Sequence, residues 1–63
     1  MKEIIKLFKE LSSMPGYHYT RIDMYADFSG DIRNLYGIAI AEFHSKKELK
    51  KALKKLIKKA RKK

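Results

Sequence analysis

The chain has 63 residues, no cysteine and a formal net charge of +9. A sequence this short holds one small domain, which excludes separate cofactor and substrate domains and with them most enzyme architectures; it buries only about 60% of the surface its unfolded form exposes, and disulfides cannot staple it. With 44% hydrophobic and 37% charged residues the composition is that of a folding chain whose outlier is charge, so it indicates a class of partner and not a reaction.

Residues 2–12 place Ile4, Ile5, Leu7, Phe8 and Leu11 on one side of a 3.6-residue period, with Lys2, Glu3, Lys6, Lys9 and Glu10 opposite, predicting an amphipathic helix. Ser12-Ser13-Met14-Pro15-Gly16 ends it, because the residue before a proline is biased away from helix and glycine turns the chain. From Tyr17 to Phe28 the period becomes two. His18, Thr20, Ile22, Met24, Ala26 and Phe28 share one face of a predicted strand, and Tyr17, Tyr19, Arg21, Asp23, Tyr25 and Asp27 the other. Ser29-Gly30-Asp31 is a turn signal, so residues 33–43 should return as the antiparallel partner.

The second strand is apolar on both faces, and two registers are open. An even loop gives a core face of Ile22, Met24, Ala26, Phe28, Leu35, Ala39, Ala41 and Phe43, with Tyr17, Tyr19, Tyr25, Tyr36, Ile38 and Ile40 gathered outside around Arg21. An odd loop puts Ile22 opposite Ile38 and leaves Leu35 and Phe43 outside. The first is preferred because it yields one consistently apolar face. Ser45 then caps a second helix over residues 46–61, Glu48 completes a capping box, and Leu49, Ala52, Leu53, Leu56, Ile57 and Ala60 fill an apolar arc of roughly 140°. The expected fold is α+β: a single domain over residues 1–63, α-β-β-α in two layers, its antiparallel hairpin packed on two amphipathic helices and completed by homodimerisation.

Charge divides the chain at Ser45. Residues 1–44 carry five basic residues against six acids, whereas residues 45–63 carry ten lysines and Arg61 against Glu48 alone. Lys47, Lys50, Lys51, Lys54, Lys55, Lys58, Lys59, Arg61 and Lys62 surround the solvent side of the second helix with no acid among them after Glu48, although like charges four residues apart repel. Phosphates are the natural counterpart, since each one neutralised releases condensed counterions. Lysine in place of arginine favours backbone tracking over base reading. The expected function is therefore non-specific nucleic-acid binding, DNA or RNA, with Arg21 and Arg33 as second-rank contacts and Tyr19 and Tyr36 as third. The alternatives are a homodimeric interaction module or designed scaffold in which the lysines only solubilise, and, more remotely, a membrane-surface helix.

The tyrosine group has two uses. Aromatics on an open sheet can stack unpaired bases, but an uncovered apolar face on a small chain more often pairs with a second copy. The expected dimer interface is Tyr19, Tyr25, Tyr36, Ile38 and Ile40.

No enzyme, cofactor, metal or small-molecule substrate is expected. His18 and His44 lack the short spacing of zinc sites, Asp23 and Asp27 stand about 13 Å apart at strand rise, and the serines sit at turns and caps. Tyr25-Ala26-Asp27-Phe28-Ser29, a following strand with Gly37, and Glu48-Leu49 opening a helix resemble the first part of a ribonuclease H domain. The family's third strand and later metal-binding carboxylates are missing, so a two-metal site cannot be built and no role is carried over. The longest apolar run, Leu35 to Ala41, falls far short of the roughly 20 residues of a bilayer span, and no signal-type apolar segment opens the chain, which predicts a cytoplasmic protein. The lysine-rich, glutamine- and tryptophan-free composition is compatible with a thermophilic, viral or designed origin.

Overall fold

The structure, a computed structural model, describes residues 2–62 and orders them as α1 (Lys2–Ser12), β1 (Arg21–Met24), β2 (Gly30–Arg33), β3 (Ala39–Phe43) and α2 (Lys46–Arg61). Met1 and Lys63, the ends of the expected domain, lie outside the described residues. The α+β class holds, with one correction. The expected hairpin of two long strands is a three-stranded antiparallel sheet in the order β1-β2-β3.

The C-terminal end of α1 and each turn can be traced to a local hydrogen bond. Ser12 and Ser13 donate their hydroxyls to the carbonyls of Lys9 and Glu10, satisfying the last turn of α1. Residues 17–20, expected to begin a strand, turn instead: the Tyr17 N–H bonds to Met14 O, the Thr20 N–H bonds to Tyr17 O, and Gly16 takes a φ of 89°. The chain reverses there to bring β1 alongside β2.

The two hairpin turns explain why each long strand breaks. After β1, the Asp27 carboxylate accepts from both the N–H and the hydroxyl of Ser29, the Tyr25 N–H bonds to Ser29 O, and Phe28 takes a left-handed φ of 65°. After β2, the Asn34 side-chain oxygen accepts from the N–H groups of Tyr36 and Ile38, while Gly37 supplies a φ of 76°. Short polar side chains that bond their own backbone compete with strand pairing, and here they win. The expected turn Ser29-Gly30-Asp31 consequently lies at the start of β2.

Register follows. Ile22 pairs with Ile32 and Ile32 with Ala41, while Gly30 is flanked by Met24 and Phe43. Neither expected register formed, since both assumed a single turn. Ala26, Phe28 and Leu35, assigned to the core face, are exposed in the loops, and Ile32, assigned to no strand, is fully buried in the central one. A bulge between Ile32 and Arg33 makes Ile40 the extra residue of β3. Ile40 and Ala41 both pack against the core.

The core joins Ile4 and Leu11 of α1, Ile32 of β2, Phe43 of β3 and Leu49, Leu53, Leu56 and Ile57 of α2. Half of it comes from α2. At about 1.5–3 kcal/mol for each fully buried aliphatic side chain, burial fixes the rotation of α2 about its own axis and thereby aims its polar side. Among the described residues, no helix is long and apolar enough to cross a membrane.

Candidate nucleic-acid interface

The basic surface is built on one element. Ser45 caps α2 by accepting from the Glu48 N–H at 3.2 Å, and the 16 residues that follow extend about 24 Å at helical rise. With Leu49, Leu53, Leu56 and Ile57 turned inward, the residues farthest from the core are lysines.

Contacts with the rest of the chain divide the expected cations into two groups. Lys50 Nζ lies 2.8 Å from the Glu3 carboxylate and Arg61 donates to Glu10 at 2.7 Å, so both are tied to acids of α1. Lys46 stacks over the Phe28 ring, 4.3 Å from its centroid. Lys47, Lys51, Lys54, Lys55, Lys58, Lys59 and Lys62 are exposed and make no ion pair among the described residues. At 100° per residue they occupy an arc of about 140° on the side away from the core. Beside that arc runs a groove of about 810 Å³ between α2 and β3, floored by Ile40, Ala41, Ala52 and Leu56 and rimmed by Lys51, Lys55 and Lys59. Glu42 and Glu48 are the acids at its edge.

The Lys50 ammonium beside Glu3 holds that carboxyl below its ordinary value, first through the hydrogen bond and then through charge. This exposed pair engages Lys50 on the α1 flank of α2. The neighbouring arc is left free.

The second-rank and third-rank contacts are not brought to the arc. Arg21 lies on β1 with its guanidinium 3.5 Å from Asp23, and α2 packs on β3 and α1 and not on β1. Arg33 is occupied. It donates to both Asp31 carboxylate oxygens at 3.0 and 3.1 Å and to Gly37 O at 2.8 Å, lies 3.1 Å from Asp23, and has its pKa raised further, chiefly by the Asp31 hydrogen bond. These four charged residues cover the sheet face opposite the core, where an aromatic and aliphatic patch was expected.

That patch is dispersed. Tyr25 sits in the loop between β1 and β2 at one end of the sheet, Tyr36 and Ile38 sit in the loop between β2 and β3 at the other end, and Tyr19 precedes β1. Tyr17 and Ile40 pack against the core. The expected dimer interface of Tyr19, Tyr25, Tyr36, Ile38 and Ile40 therefore does not form one face, because the two turns carry its members to opposite ends. What sequence reasoning missed is the pairing of Lys50 and Arg61 with acids of α1, a contact across 51 residues in the second case, which no local pattern signals.

His18 Nδ1 lies 3.0 Å from Ser12 O, and among the described residues no cluster of three potential metal ligands forms. Asp27, strand-borne in the ribonuclease H resemblance, is a turn residue whose carboxyl is held below its ordinary value by the Ser29 hydroxyl and N–H. No family model, curated protein or solved structure matches the chain.

Proposed function

We propose that this is a small nucleic-acid-binding protein that holds a duplex by its phosphate backbone through the lysine arc of α2, without base reading. The observation that carries the reading is the set of seven exposed lysines on one helix face with no acid pairing them among the described residues. A duplex presents one phosphate charge per about 1.7 Å of axis, so about 24 Å of helix faces more phosphates than it has lysines. Each contact releases counterions, and affinity gained this way is sequence-independent.

Duplex is preferred over single strand for a reason of geometry. Single-strand binders need aromatic platforms in the basic groove, and here the groove floor is aliphatic while the exposed tyrosines stand on loops at the ends of the sheet. Backbone-only contact is compatible with B-form DNA and with A-form RNA, whose deep major groove is closed to side chains. Such a partner fits the cytoplasmic setting expected from the sequence.

Fluorescence anisotropy of labelled duplex and single-stranded DNA and RNA tests the reading, with the intact chain and a variant carrying Lys51→Glu, Lys54→Glu, Lys55→Glu and Lys58→Glu. Lys50 is spared because it holds Glu3. Duplex binding lost in the variant is expected. Equal binding by both proteins, or none by the intact chain at low salt, would sink the proposal.

A further inference from the structure

The two edges of the sheet differ. The outer edge of β3 is bent by the extra residue Ile40 and borders the lysine-rimmed groove, whereas β1 is a short edge of four residues with no bulge or proline, whose two charges, Arg21 and Asp23, are of opposite sign. The Tyr25 N–H bonds to Ser29 O, and peptide directions alternate along a strand. Asp23 and Arg21 therefore turn their backbone groups towards β2, while Ile22 and Met24 turn theirs outward. Beside this edge a groove of about 540 Å³ separates β1 from α1, lined by Ile4, Ile5, Phe8, Ile22 and Met24. Ile5 is 50% exposed there and Met24 37%.

We propose that β1 pairs antiparallel with β1 of a second copy of this chain, about a two-fold axis through Ile22, joining two three-stranded sheets into one. Three independent features select that register. With Ile22 on the axis, the two Ile22 residues exchange N–H and C=O bonds using the groups that point outward. Met24 falls opposite Thr20 of the other copy on the same side of the sheet as Ile22, so the core-facing sides of the two strands coincide. Arg21 falls directly opposite Asp23 of the other copy, twice, on the charged side, where cross-strand neighbours of opposite charge are favourable.

The competing registers fail on the same features. An axis through Asp23 sets Asp23 against Asp23 and brings together peptide groups already used by β2. An axis between Ile22 and Asp23 pairs a core-side residue with an outer-side one, which reverses the faces. An acidic extended peptide is the other conceivable occupant, but the complementary Arg21 and Asp23 pattern is already present in this strand.

The charge of +9 on each copy does not forbid the pairing. The lysine arc lies on the β3 side, and six joined strands at about 4.8 Å spacing hold the two outer strands about 24 Å apart. That is several times the Debye length of about 8 Å at physiological salt. The inference stands apart from nucleic-acid binding.

Sedimentation equilibrium over a wide concentration range, on the intact chain and on R21E and D23R, tests it, with far-UV circular dichroism to confirm folding. The intact chain should reach twice the chain mass. Either variant alone should remain monomeric, since each sets like charges opposite one another, and an equimolar mixture of the two should recover the dimer because every pair is then of opposite sign. Where D23R does not fold, having lost its contact with Arg33, amide hydrogen exchange of the intact chain replaces it. The Ile22 and Met24 N–H groups should be protected at high concentration and exchange freely on dilution. A single-chain mass at all concentrations, dimers of both variants as tight as the intact one, or an Ile22 amide that exchanges freely in a dimer would each overturn the proposal.

Discussion

Replacing Ile32 by alanine tests the three-stranded arrangement against the two-stranded one that the sequence pattern favours. In the structure Ile32 has no exposed surface and lies at the centre of the middle strand, between Ile22 and Ala41 and packed with Phe43 and α2. Truncation of a fully buried isoleucine removes its transfer free energy and leaves a cavity, together about 2–5 kcal/mol. Folding stabilities of about 0.05–0.15 kcal/mol per residue leave a chain of this size little beyond that. With a urea slope of about 1 kcal/mol/M for a small domain, a loss of about 3 kcal/mol lowers the midpoint by about 3 M or abolishes the transition. The control is Ile38→Ala. Ile38 is 61% exposed in the loop after β2, and surface truncations of that kind stay within about 0.5 kcal/mol. In the two-stranded pattern Ile32 lies outside both strands and Ile38 lies within one, so the large excess at Ile32 would be absent. Urea titrations followed by far-UV circular dichroism decide it: an Ile32→Ala midpoint equal to that of the intact chain, or a larger effect at Ile38, would refute the register.

Three further outcomes follow from the same geometry. Gly30→Ala should destabilise by about 1–3 kcal/mol, because an added Cβ would collide with the Asp23 carbonyl oxygen and come 2.9 Å from Met24 Cα, backbone atoms that cannot swing away; a melting temperature unchanged from that of the parent would contradict the close approach of β1 to β2. Glu3 and Asp27 have folded pKa values below their ordinary ones, so their contributions are present above the unfolded carboxylate range, about pH 4, and are lost as pH falls through the folded values. Acid titration of thermal stability should therefore show a decline below that range that is reduced in a Glu3→Gln, Asp27→Asn double variant, and an identical decline in both proteins would count against these contacts. Arg21→Ala should leave duplex affinity unchanged at fixed salt while Lys55→Ala weakens it several-fold, measured by anisotropy; equal losses would move the interface to β1.

Both helices were legible in the sequence. Ile4, Leu7, Phe8 and Leu11 keep helical spacing up to a serine pair and a proline, and Ser45 marks the start of α2. The central strand was not legible, because Gly30-Asp31-Ile32-Arg33 contains one apolar residue among turn-forming and charged neighbours and is too short to display alternation. Its burial comes from pairing on both sides, which is a tertiary fact. The turns at Asp27 and Asn34 were hidden by their company. Tyr25, Phe28, Leu35, Tyr36 and Ile38 look like strand residues, and they stand exposed in loops because side-chain oxygens bond the backbone there. The lysine arc was readable from composition and spacing, but its partition into free and α1-bound cations depends on Glu3 and Glu10, far away in sequence.

The most direct test of the phosphate-backbone reading is the salt dependence of duplex binding by the intact chain. With about six phosphates engaged, a plot of log affinity against log salt concentration should be linear with a slope of about −5. A slope near zero, or duplex binding undetectable even at low salt, would contradict it and leave the lysines of α2 as a solvated face.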